Sequence, residues 1–499
     1  MRLGSLSSAF DTAPSGIEGL GLALQSGGDE RVLIDPATGR TKYGTLPSVT
    51  ADEIWFSSST ASTISPRGQA AVAAVWRNLM AGSLSLEDCC EDIRRRLLAL
   101  FGIEGTEAIL TGSGTEAILL SAVLARAILG NKITTILVGA NETGRSVAKA
   151  AAGRHFFNHT AFGNVTPDEA LDGLGDFDCR VESVEIRDAT GALRAASDVE
   201  ADLAQKIDAA RRDGRDVLIH RLDVSKTGQS APSLDWLADI CEKEGDHVLV
   251  LADCCQLRCS PKHMRALLES GFFVALTGSK FAGGPTFCGA LLVPPQLTAR
   301  LRAKEMPAGL AAYSAQWDWP SSLRAKMPLA FLPASNMGLA LRWQAALAEL
   351  EPFFAWPSRL CNAIMLRFYE EVVRRAAIAS DLELLAPSSA NADCFGHTIM
   401  SLRMRHRDGR AFDMVEAAAV QKRLRAGENA EQRLRFHLGQ PVEIGNTGVL
   451  RVCTSAPLVN QIADEMQTGA ALSEAFAPIA ESIGELFRAW VGILARHFE

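Results

Sequence analysis

Three short segments carry side chains whose types and spacing could do chemistry. Thr111-Gly112-Ser113-Gly114-Thr115-Glu116-Ala117 follows the apolar run Ala108-Ile109-Leu110 and opens a helical stretch. A strand-to-helix junction rich in glycine exposes backbone N–H groups at the positive end of a helix dipole, which suits a phosphate. Asp253 closes the apolar run 248–252, and Lys280 follows the run 272–276. Between them Ser260, Pro261 and Gly271 read as N-cap, first helical residue and stop signal, so the segment is a β-α-β unit with a right-handed crossover. Such a unit brings Asp253 and Lys280 to the C-terminal edge of a sheet, where open α/β sheets bind their ligands.

A phosphate cradle, a carboxylate and an amine at one edge have a specific joint use. A lysine whose pKa is lowered by desolvation forms a Schiff base with pyridoxal phosphate. A carboxylate on the pyridine nitrogen keeps the ring an electron sink. Ser113, Gly114 and Thr115 would hold the phosphate, with Thr277 and Ser279 adding hydroxyls just before Lys280. Two other readings stay open. Gly112-x-Gly114-x-x-Ala117 also fits a dinucleotide fingerprint, with Glu142 placed where a ribose-binding acid would sit. Taken singly, Asp253 is equally a strand-end cap and Lys280 a solvated lysine.

The elements that must position these residues are legible as punctuation. Apolar runs at 108–110, 133–138, 217–219, 248–251, 272–276 and 290–293 alternate with helical stretches. Short, fully apolar strands between helices require a mostly parallel sheet covered on both faces. Ser65-Pro66 opens a helix reaching about Met80, and a second helix runs from Leu86 to Phe101. Beyond 330 the pattern is helical over Leu339–Phe353 and Pro357–Ala377. A strand Thr398–Met404, a helix Met414–Arg425, strands Arg433–Leu438 and Val449–Cys453 and a closing helix Leu472–Phe498 follow. This divides the chain into an N-terminal arm (1–54), a large α/β domain (55–330) whose first helices could also join the smaller unit, and a small α+β domain (331–499). The segment around Trp317, Trp319 and Pro320 is either an entrance loop or a packing insert.

Composition narrows the partners. Of 499 residues, 50 are Lys or Arg and 58 Asp or Glu, a net charge of −8, with no long basic cluster. That argues against a nucleic-acid or anionic-membrane surface. No run approaches the ~18–20 apolar residues of a membrane helix, and the first residues lack a signal pattern, so a cytoplasmic location is expected. The eleven cysteines are odd in number, without CxxC or a zinc spacing. They read as reduced core thiols, and no metal site is expected.

SGTEA, LADCCQ and TGSKFAGGPTFCGALLVP resemble the pyridoxal-phosphate enzymes of aspartate-aminotransferase fold (fold type I), particularly the class V aminotransferase and cysteine desulfurase group. The resemblance runs in order over roughly residues 55–300 and more faintly to the C-terminus. It implies a large cofactor domain plus a smaller domain built from the chain ends, an amino-acid substrate and a homodimer. By the same resemblance, Gln256 contacts the cofactor's phenolic oxygen, and Thr277 and Lys280 match a hydroxyl-x-x-Lys pattern. Ser225 in HRLDVSKTG lies near the ring oxygen, and Arg451 in VLRVCTSAP grips the substrate α-carboxylate. A buried guanidinium needs a partner, which an internal carboxylate would supply equally well.

The departures are as informative. Ser279 stands where desulfurases carry His, and Asn141–Arg145 offers no aromatic where they stack a His on the ring; His155 and His159 nearby read as packing residues. No cysteine lies between 395 and 450, and Cys394 and Cys453 read as core. An aminotransferase is therefore the first expectation. A pyridoxal-phosphate lyase (desulfurase-like, C–S lyase-like or decarboxylase) is the second. A nicotinamide dehydrogenase and a catalytically inactive relative of the fold are further alternatives.

Overall fold

The computed structural model describes residues 17–46, 48–324, 327–328, 331, 336–385, 393–428 and 434–498. Seven strands form one sheet in the order Glu107–Thr111, Gly289–Val293, Phe273–Thr277, Val248–Cys254, Asp216–Leu222, Lys132–Val138 and Asp178–Val184. Neighbours are parallel except for Gly289–Val293, which runs antiparallel to both strands beside it. The inner strands are largely apolar because both faces are covered. Val248 and Val250 enter one core with helices Ala196–Arg212, Leu234–Glu244 and Pro261–Glu269. Leu249 and Leu251 enter the other, with helix Gly114–Leu129. Asp178–Val184 is the strand that apolar runs do not reveal. It is half-exposed and charged, as an edge strand must be to avoid pairing with other chains.

A second sheet has the order Glu53–Phe56, Arg435–Ile444, Thr447–Cys453, Ile399–Met404 and Leu382–Leu384. Glu53–Phe56 pairs in parallel with Arg435–Leu438, so the end of the presumed arm joins this sheet. Helices Ser358–Ile378, Met414–Ala426, Ala456–Gln467 and Leu472–His497 cover it with a core of their own. Residue 433, where a strand start was expected, lies outside the described residues; the strand there begins at Arg435 and continues to Ile444.

Residues 17–46 lie along the body of the same chain. Helix Ile17–Leu24 buries Leu20, Ala23 and Leu24 against Val72, Trp76 and Leu341. The buried Arg342 guanidinium then ties this segment to the sheet's edge, donating to the carbonyls of Leu24 (2.8 Å), Ser26 (2.6 Å), Gly27 (2.8 Å) and Phe287 (2.6 Å). Of the two roles open to the segment around Trp317 and Trp319, the structure shows packing there. Trp319 is fully buried with its indole N–H on Ser314, and Arg94 donates to the Trp317 carbonyl. All eleven cysteines are free, nine of them buried. Among the described residues, no helix is long and apolar enough to cross a membrane.

Candidate active site

Strands Val248–Cys254 and Phe273–Thr277 are direct neighbours, with Asp253 opposite Ala275. Their C-terminal ends meet the start of helix Gly114–Leu129 closely. A Cβ on Gly114 would lie 2.5 Å from Cys255 Sγ and 3.0 Å from Thr277 Cγ2, so only glycine allows this approach. The three segments open on a cavity of about 780 Å³. Ser113, Gly114, Thr115, Ser225, Asp253, Gln256, Thr277, Lys280 and Arg451 all line it. Ser279 does not: it is fully buried behind Lys280, and its hydroxyl has no partner.

Each side chain has a local reason for its pose. Ser113 caps the helix, its Oγ accepting from Glu116 N (3.3 Å). Thr277 Oγ1 donates to the Cys255 carbonyl (2.7 Å), which locks the two strand ends together. Asp253 Oδ1 accepts from Cys255 N (3.1 Å). Gln256 donates from Nε2 to the Ser59 carbonyl (3.1 Å), and its buried Oε1 has no partner. Burial lowers the Lys280 amine below the usual lysine range, against the pull of Cys255 and Asp253.

Arg451 is 2 % exposed and donates to the Gln440 carbonyl (2.6 and 3.2 Å), the Lys226 carbonyl (3.2 Å) and Thr60 Oγ1 (3.0 Å). No carboxylate among the described residues pairs with it, and burial lowers it to about 10. The internal partner that an arginine in an apolar strand would need is therefore a set of carbonyls, which leaves its charge uncompensated.

Ser225 lines the cavity with its hydroxyl already engaged. Its hydroxyl donates to Glu142 Oε2 (2.6 Å), away from an open acceptor role. Glu142 also accepts from Thr227 Oγ1 (2.6 Å) and pairs with Arg187 Nε (2.6 Å). A carboxylate so committed is not free for a ribose diol, which removes the support Glu142 lent to a dinucleotide site. His155 bonds the Tyr313 hydroxyl through Nδ1 (2.9 Å), and His159 sits in a two-residue hairpin beside Asn164. Neither lines the cavity. Cys453 is buried in the core, and Cys394 lies with His263 on Asp223, whose charge Arg221 already balances.

Several lining residues carried no local signal. Arg31, Lys42 and Tyr43 come from the segment classed as an arm. Arg31 binds Asp29 through Nε (2.8 Å) and stacks over Phe157 and Phe287, at 5.0 and 4.6 Å. Lys226 and Arg145 line the cavity as well. Six cations (Arg31, Lys42, Arg145, Lys226, Lys280, Arg451) thus face two carboxylates, Glu142 and Asp253, in a chain of net charge −8. Such a cavity gathers anions.

No family model matches the chain, and no curated protein matches it. A solved structure described as a NifS-like protein is similar in fold, with TM-score 0.51 and 12 % identity, over 89 % of this chain and 99 % of that one. The chain therefore has the mixed α/β fold seen in that NifS-like protein.

Proposed function

We propose that this chain is a pyridoxal-phosphate-dependent enzyme acting on an amino-acid substrate, and that the reaction is transamination. The observation that carries the reading is the convergence of Lys280, Asp253 and the Ser113–Thr115 helix start on one cation-rich cavity. The residues fit the cofactor. Gly114 lets the helix start close on the ends of the strands that carry Asp253 and Thr277, Gln256 Oε1 is buried on the cavity wall without a partner, and one Asp253 oxygen is free of backbone bonds. When bound, the cofactor supplies an electron sink for a carbanion at the substrate α-carbon.

The chain's own residues do the rest. Lys280, whose amine burial lowers below the usual lysine range, would hold the cofactor and then move the α-proton as general acid and base. Asp253 keeps a proton on the ring nitrogen. Ser113, Gly114, Thr115 and Thr277 seat the phosphate at the helix N-terminus. Arg451 orients the α-carboxylate with its planar fork. By the resemblance, Gln256 and Ser225 would contact the cofactor's ring oxygen.

Transfer is preferred to a desulfurase-type lyase because of the thiols. Residues 395–450 contain no cysteine, and the cysteine on the cavity wall, Cys255, sits against Gly114 and Thr277 on the phosphate side. Burial holds its thiol well above the ordinary range, as a weak nucleophile. The family-level dimer is part of the same proposal.

The test is the visible spectrum of the full-length protein and of Lys280→Ala, before and after borohydride. A cofactor band in the wild type that borohydride removes, and that the variant lacks, supports the reading. A colourless wild type that stays colourless with added pyridoxal phosphate overturns it. Products then separate the reactions: transamination needs a 2-oxo acid acceptor, whereas a lyase releases a fragment without one.

A further inference from the structure

Lys226, like Lys42, lines the cavity without a task in the proposed reaction. It stands where the cavity meets a second chamber of about 560 Å³, and it lines both. Its backbone carbonyl accepts from Arg451 Nη1 (3.2 Å), so the residue adjoins the arginine assigned to the α-carboxylate. Its side chain donates from Nζ to the Thr143 carbonyl. The neighbouring carboxylate, Glu142, is already held by Arg187, Ser225 and Thr227. Among the described residues no carboxylate forms an ion pair with Lys226. Arg145, exposed and on the same two chambers, adds a further cation.

An ammonium held in this way, beside Arg451 and Lys280, is repelled by its surroundings and solvated by one carbonyl. Burial and those two cations push it down to about 7. A ligand anion relieves both penalties at once. We propose that the substrate is an amino acid with a second anionic group on its side chain, received by Lys226 with Arg145 at the mouth of the second chamber. This rests on the amino-acid-enzyme reading above. The shared chemistry is a compact oxyanion, carboxylate or phosphoryl.

The test uses the full-length protein loaded with pyridoxal phosphate and unreactive probes, titrated by calorimetry. Glutarate and 3-phosphonopropionate carry two anionic ends, and pentanoate carries one. The dianions should bind about 10- to 100-fold tighter than pentanoate, the range of a charge-assisted hydrogen bond. Lys226→Met should remove that preference while keeping pentanoate affinity, and Lys226→Arg should keep it. The glutarate-to-phosphonate ratio tells an acidic from a phosphorylated side chain. Equal wild-type affinity for dianions and pentanoate overturns the proposal, as does a preference that survives Lys226→Met. Should Lys226→Met not fold, the wild-type ratio and Lys226→Arg decide by themselves. The visible band of the same sample separates the two failures. A missing band defeats the enzyme reading, and a present band without dianion preference defeats only this inference.

Discussion

Gly114→Ala tests the geometry on which the phosphate cradle depends. The new methyl would stand 2.5 Å from Cys255 Sγ and 3.0 Å from Thr277 Cγ2, against an ordinary contact of about 3.5–4.0 Å. A neighbour must therefore yield by about 1 Å. Thr277 is tied through its hydroxyl to Cys255 O, so neither strand end moves independently. Overpacking of this kind costs about 1–3 kcal/mol, offset by less than about 1 kcal/mol from replacing glycine at a helix start. A net loss of about 1–2 kcal/mol follows. Cys255→Ala removes the sulfur that the methyl meets, at a cost of about 1 kcal/mol on its own. In the double variant the two effects should not add: about 1 kcal/mol is recovered, and the remainder reflects Thr277. Urea unfolding of the four proteins measures the coupling, and pyridoxal-phosphate affinity, read by fluorescence quenching, should fall in Gly114→Ala and recover in part with Cys255→Ala. Additive stabilities within error would show that the approach of helix and strands is looser than described and would refute the cradle argument.

Two further predictions concern buried carboxylates. Glu116 accepts from Gly112 N (2.7 Å) through one oxygen while the other has no partner, and burial, reinforced by Asp29, raises its pKa from 4.5 to about 8. The unfolded chain ionises first, so the stability this group lends is fully present below about pH 4.5 and is lost as the pH rises to about 8. At ~1.36 kcal/mol per unit the loss is about 5 kcal/mol at most, and Glu116→Gln should flatten the unfolding profile across that window. An unchanged profile would mean that Glu116 is ionised in the fold. Arg187→Met strands the buried Glu142, which keeps only hydroxyl and amide donors from Ser225 and Thr227. A loss of about 3 kcal/mol in urea unfolding is expected, and a loss under about 0.5 kcal/mol would show that the hydroxyls alone hold the carboxylate.

Much of this protein follows from local rules. Six strand cores, the Ser65-Pro66 and Ser260-Pro261 helix starts and the Asp253–Lys280 crossover depend on neighbours within about thirty residues, where capping, periodicity and handedness act. Sequence alone therefore determined that a carboxylate, an amine and a glycine-rich helix start share one sheet edge. The tertiary structure decided what periodicity does not encode. The run Gly289–Val293 is equally apolar in either direction, and its antiparallel course is set by the short return after Lys280. Asp178–Val184 is polar because it is an edge, and so hides among loops. Arg31, Lys42 and Tyr43 reach the cavity because Arg342, some three hundred residues away, anchors the carbonyls of Leu24, Ser26 and Gly27. The pairing of Glu142 with Arg187, which leaves Lys226 without a carboxylate, is likewise a contact between loops. Charge balance at a site is a sum over segments distant in sequence, and only the folded chain performs that sum.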